Sequence, residues 1–217
     1  MIRLDSITIL LPVKGVVKNI YSTCFDEHTV KFNGKEYYNE LRLRKLFKTS
    51  GLNNIRIIIA ANEMIIELSS KILQDELHQL INKNNIGKVF SLINAQGIID
   101  IDIKKAIDKA IVLKCDVTND LKVKKPISEY IIALSTFSCH HEYEVKLYKN
   151  KTIVFKKNAK TVYERIIIYD KFAESKDSLF SDILRVEQNI NNFESIRKLF
   201  CINKSSCILK KSKLNKW

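Results

Sequence analysis

Ile55-Arg56-Ile57-Ile58-Ile59-Ala60-Ala61-Asn62-Glu63-Met64-Ile65-Ile66-Glu67-Leu68 decides the fold class. Two isoleucine-rich runs flank the short turn Ala60-Ala61-Asn62-Glu63. Runs of this length bounded by turn residues read as strands, and so short a turn pairs them antiparallel. Ser69-Ser70 follows at once and reads as a helix cap, with Ile72, Leu73, Leu77, Leu80 and Ile81 on one face to about Asn82.

Working outward, the pattern repeats. Ile7 to Leu11 is a strand, and Lys31 to Tyr38 is a hairpin turning at Asn33-Gly34. Helical stretches follow at Ile86–Ala95 and Ile103–Ala110, the second capped by Asp102, and then a strand from Ile111 to Leu121. Ser128 to Phe137 fits helix or strand. Tyr143–Leu147, Thr152–Lys156 and Glu164–Lys171 are strands, Leu179–Ile190 holds another, and Phe193–Phe200 starts a helix. Helices set between antiparallel pairs predict an α+β fold: a mainly antiparallel central sheet with helices packed on one face. Residues 1–200 form the main unit, and 201–217 are a basic tail, with five lysines and no acid from Asn203 to Trp217.

The 217 residues carry 37 Lys and Arg against 24 Asp and Glu, a formal charge of +13. That excess favours a polyanionic partner, nucleic acid before an anionic membrane. Five Gly and two Pro exclude collagen-like and linker-dominated chains. No apolar run reaches the ~18 residues of a membrane span, and the start lacks the pattern of a signal peptide. Cys24, Cys115, Cys139, Cys201 and Cys207 are scattered, with no C-x-x-C pair, as expected of reduced thiols.

Strand alternation then places the chemistry. In Arg165 to Lys171, Arg165, Ile167, Tyr169 and Lys171 share one face. A cation beside a phenol favours phenolate, which makes Tyr169 a candidate nucleophile with Lys171 as its helper. Asp116, Thr118 and Asp120 share a face of the strand from Ile111, and two carboxylates so placed suit a hard cation, Mg²⁺ or Mn²⁺. Glu67 opposes Ile66 and Leu68, and Arg185 shares a face with Glu187. Each residue also has a plainer explanation: a half-buried strand tyrosine, solvated edge acids, ordinary ion pairs. His140-His141 looks like a metal pair, but neighbours on a strand point to opposite faces. From Lys146 to Lys171 there are eight Lys/Arg and two acids, a candidate track for a phosphate backbone.

The order of these motifs resembles the rolling-circle replication initiators of filamentous phages and of related phages and plasmids. An apolar strand opens the chain. Ile66-Glu67-Leu68-Ser69-Ser70 gives an acid before a serine-rich helix start, and Asp116-Val117-Thr118 an Asp-x-Thr segment. Ile168-Tyr169-Asp170-Lys171 with Glu174, then Leu184-Arg185-Val186-Glu187, give Tyr-x-Lys and Leu-Arg-x-Glu. The resemblance implies a DNA nickase and strand transferase working through a 5′-phosphotyrosyl intermediate. It implies Tyr169 as nucleophile with Lys171 beside it, and Glu67, Asp116 and Asp120 as ligands of Mg²⁺ or Mn²⁺. Lys156, Lys157, Lys160, Arg165 and Arg185 would bind DNA.

The implied partners are single-stranded or locally melted origin DNA, with host helicase and polymerase and no membrane. The implied place is the cytoplasm of a bacterial host. Members of that family usually continue past the Leu-Arg-x-Glu strand. Some plasmid members place a tyrosine one strand earlier, where this chain has Thr152-Ile153-Val154-Phe155 and no tyrosine. Tyr163 stands in reserve as nucleophile. The alternative is an initiator-like DNA-binding protein that does not cut.

Overall fold

A computed structural model of the chain describes residues 2–32, 35–44, 55–136, 143–149, 151–157 and 164–191. Its strands are β1 (Leu4–Pro12), β2 (Val17–Ile20), β3 (Phe25–Phe32), β4 (Lys35–Leu43), β5 (Ile55–Ala60) and β6 (Glu63–Ser69). The rest are β7 (Ile99–Ile101), β8 (Ile111–Lys122), β9 (Tyr143–Tyr148), β10 (Thr152–Lys157), β11 (Glu164–Asp170) and β12 (Ile183–Ile190). The α-helices are α1 (Ile86–Ala95), α2 (Ile103–Lys109), α3 (Ile127–Ser135) and α4 (Lys171–Ser175).

Ten strands form one antiparallel sheet in the order β3-β4-β5-β6-β1-β8-β12-β11-β10-β9, and β2 pairs with β7 in a small second sheet. The fold is α+β. As expected, β5 and β6 pair antiparallel, with Ile57 opposite Ile66 and Ile59 opposite Met64. Ala61 turns the chain between them at φ +52°.

One face of the sheet is the core. Ile7, Ile9 and Leu11 of β1 lie beside Leu68, Ile66 and Met64 of β6, in register with Ile55, Ile57 and Ile59 of β5. Val89, Phe90 and Ile93 of α1 belong to the same buried cluster. Burying each such side chain contributes up to about 1.5–3 kcal/mol. Further along the face, Ile127 and Ile131 of α3 cover Ile153, Phe155, Ile168 and Leu184. The second cluster explains why the Ser128 segment is a helix. Its apolar residues sit at i and i+4, and the strands beneath already supply the sheet.

Three expectations change. The helix through Asn82 is instead a run of 3₁₀ turns, Ser70–Gln79, broken at Gln74 (φ +52°). The Ser70 hydroxyl does not cap it but donates to Asp5 Oδ1 at 2.8 Å. Ile81 must return to bond Leu4, N to O in both directions at 2.8 and 2.9 Å. That tertiary pairing overrides the local period. The strand at Glu164 ends at Asp170, whose carboxylate caps α4 by accepting from Ala173 N, so Lys171 opens a helix. The pairing of β2 with β7 had no signal beyond two short runs. The Asn33-Gly34 turn, the Phe193–Phe200 helix and the 201–217 tail lie outside the described residues.

Candidate active site on the open sheet face

The face away from α1 and α3 carries the polar residues. Cross-strand register there sets Asp120 beside Arg185, and Arg185 beside Tyr169. The next row sets Thr118 beside Glu187, and the row after that sets Asp116 beside Asn189. Three strands therefore bring together residues far apart in the chain.

β1 adds two more through an irregularity. Leu4 is opposite Val117 and Ser6 is opposite Asp116, so one extra residue is inserted on β1. Such a bulge turns consecutive side chains toward one face. Asp5 and Ser6 accordingly both reach the open face: Asp5 accepts from Arg185, and the Ser6 hydroxyl donates to Asp116.

Arg185 is the hub. It is 0% exposed. Its Nε and Nη2 donate to the two oxygens of Asp120 at 2.6 and 2.7 Å, a bidentate pair. Nη1 donates to Asp5 Oδ1 at 3.2 Å and lies 4.0 Å from Glu187 Oε1. The Phe180 ring closes over the guanidinium at 5.5 Å. Burial alone would lower the Arg185 pKa, but the bond to Asp120, with its charge and those nearby, raises it overall. Arg185 was expected on a DNA-binding surface. It faces these acids instead, because a buried guanidinium needs carboxylate partners on its forked donors.

Tyr169 Oη donates to Glu187 Oε1 at 2.6 Å. Burial first, then the charge and hydrogen bond of Glu187, push the phenol well above its ordinary pKa. The expected lowering by Lys171 is not what the site produces. Lys171 Nζ sits 5.7 Å from the Tyr169 ring centroid, but it is bound to Glu174 Oε2 at 2.6 Å. Glu187 is itself raised, by burial and by the charges of Asp5 and Asp116, against the pull of the Tyr169 bond and Arg185. Both partners of the short bond are thus held toward their protonated forms.

The three acids named for a metal do not form one donor set. Asp116 accepts from Ser6 and from Asn189, and Asp120 is committed to Arg185 through both oxygens. Glu67 is on the open face but opposite Thr8 on the far side of β1, 46% exposed and 3.6 Å from Arg56. Among the described residues no group of three or more His, Cys, Asp and Glu side chains is placed to hold a metal ion. The named residues therefore do not fit Mg²⁺ or Mn²⁺ as a set.

Of the basic candidates, Lys156 and Arg165 face the open side, in register with Asn189. Lys157 is one residue on and takes the helix-covered side, opposite Tyr143. Lys160, Tyr163, His140 and His141 lie outside the described residues. Asp5, Ser6, Asn189 and Phe180 were not foreseen. Asn189 was within reach, since it continues the alternation of Arg185 and Glu187.

No family model matches the chain, and no curated protein matches it. A solved structure described as the rolling circle replication initiator protein from Geobacillus stearothermophilus is similar over 91% of this chain and 77% of that one, at 12% identity and a TM-score of 0.43.

Proposed function

We propose that this protein is a rolling-circle-initiator-type DNA strand transferase with Tyr169 as its nucleophile. The observation that carries the reading is the 2.6 Å bond from Tyr169 Oη to Glu187 on the partly open face of a strongly basic chain. A weak nucleophile within hydrogen-bond reach of a base, with the base oriented by a third group, is the general form of an activated nucleophile. Here the third group is Arg185, held by Asp120 and Asp5, which acts on Glu187 through its charge at 4.0 Å rather than through a hydrogen bond.

Glu187 takes the phenolic proton as the Tyr169 oxygen attacks a phosphodiester phosphorus. The bond from phosphorus to the 3′-oxygen breaks, and that oxygen leaves with the bonding pair and takes a proton from water. A phosphotyrosyl bond to the 5′ side forms, and the reverse attack by a 3′-hydroxyl reseals the strand. The raised pKa of Glu187 makes it a stronger base than an ordinary carboxylate, set against a phenol that burial also pushes up. A protein residue pair of this kind contributes about 10²–10⁴-fold.

The test is a covalent adduct. The full chain is incubated with single-stranded origin-type DNA, with Mg²⁺, with Mn²⁺ and with chelator, and scored by a shifted protein band. The adduct is expected with the parent chain and absent from Tyr169→Phe. An adduct that persists in Tyr169→Phe moves the nucleophile elsewhere, with Tyr163→Phe next.

A second reading has its own observation. Tyr169 is tied to Glu187 and its phenol is pushed away from ionisation, which equally suits a tyrosine that only braces the face. On that reading the protein binds DNA without cutting, and salt-sensitive binding appears with no adduct under any cation.

A further inference from the structure

Beyond Tyr169 the open face continues to the edge of the sheet. Tyr169 is opposite Thr152, and Thr152 is opposite Tyr148 on β9, the outermost strand. Tyr148 is 52% exposed, so about half of its surface is open to a partner. The charge along this face also reverses. At β8 and β12 it is acidic, but from β11 outward Arg165, Lys156 and Lys146 follow on the same side. The acid interleaved there, Glu144, is paired with Lys146 at 3.0 Å.

We infer that Tyr148 is a base-stacking platform for single-stranded DNA, with Arg165, Lys156 and Lys146 holding the adjacent phosphates. This deepens, and rests on, the reading of DNA as the partner. Exposed aromatics flanked by cations bind unpaired strands because every base offers a π face and every phosphate a charge. A base paired within a duplex cannot lay its face on an edge strand, which selects a single strand. Two strand spacings, about 10 Å, separate Tyr148 from Tyr169. The stacked base is therefore a near neighbour of the phosphate that Tyr169 reaches. Lys157 and Tyr143, on the covered side of β10 and β9, take no part. Lys156, the sequence neighbour of Lys157, does, and alternation alone makes the difference.

The experiment reads binding without cutting. A fluorescein-labelled oligothymidine strand is titrated with the full chain in chelator, and its anisotropy is followed. Tyr148→Ala is expected to weaken binding about tenfold, and Tyr148→Phe to restore it. Tyr148→Ala leaves the salt slope unchanged, whereas Lys156→Ala lowers it by about 0.7. Tyr148→Ala binding within about twofold of the parent, or a loss that Tyr148→Phe does not rescue, overturns the inference. So does binding to phosphatidylserine vesicles that the oligonucleotide fails to displace. A chain that forms the adduct but ignores Tyr148 sinks this inference alone, and one that needs Tyr148 yet forms no adduct sinks only the nuclease.

Discussion

Glu187 is the residue on which site and stability pull in opposite directions. Its pKa in the folded chain lies above the ordinary carboxylate value, first because it is buried. Between the unfolded and folded values the native state binds the proton more tightly, so stability falls as pH rises through that window. Above it the full cost of a buried, ionised Glu187 remains. Glu187→Gln removes the titration while leaving Tyr169 an acceptor for its hydrogen bond. Urea denaturation at neutral pH is therefore expected to show a more stable variant, with the mildly acidic limb of the stability profile flattened. The same variant is expected to lose adduct formation by about 10²-fold or more. A parent whose adduct rate does not climb with pH above the usual carboxylate range would exclude Glu187 as the base. Residue-scale legibility was uneven. Alternation alone groups Asp116 with Asp120, Arg185 with Glu187 and Tyr169 with Arg165 within their own strands, and only the register joins those groups on one face. Asp5 is misplaced: strict alternation puts it with Ile7 and Ile9 in the core, and only the inserted residue on β1 turns it outward. The electrostatics run opposite to the alternation pattern, because Lys171 leaves the strand to open α4 and Glu187 is the charge bonded to the phenol.

Elements followed the sequence where local and tertiary demands agreed. The β5–β6 pair, α1, α2 with its Asp102 cap accepting from Lys105 N at 3.1 Å, and β8 all fall where their periodicity placed them. The segment after Ser69 did not, because its ends are committed to β1 rather than to each other. The β5–β6 turn keeps a cost of its own. Ala61 sits at φ +52°, a conformation that disfavours any side chain. Ala61→Gly relieves that strain and loses part of the gain to unfolded-state entropy. A net stabilisation of about 0.5–1 kcal/mol is expected, read as a higher urea midpoint at unchanged m. An unchanged or lower midpoint would mean that the turn already relaxes.

Across the whole molecule, the sheet has two unlike sides: the main apolar clusters with α1 and α3 on one, and the charged groups around Tyr169, partly roofed by Phe180, on the other. The formal +13 is not spread evenly, since the open face near Tyr169 is acidic and its outer strands are basic. A phosphate backbone is thus drawn to the edge and repelled from the acids unless it arrives at the tyrosine in a fixed register. If Lys146, Lys156 and Arg165 each meet one phosphate, the affinity for single strands falls with salt at a log–log slope of about 2. A flat salt titration would remove these contacts. This polarity was invisible in the net charge, which sums what the register separates. No described helix is long and apolar enough to cross a membrane.

The place of β1, between β6 and β8, bears on how the chain is made. It leaves the ribosome before either neighbour exists, and Ser6 meets Asp116 across 110 residues. Asp5 finds Arg185 only after 180. At about 5–20 residues per second of synthesis, the greasy opening strand waits several seconds for its first partner. Nascent chains stalled before β6 should therefore be the ones that chaperones hold, and the pocket should be the last part of the molecule to mature.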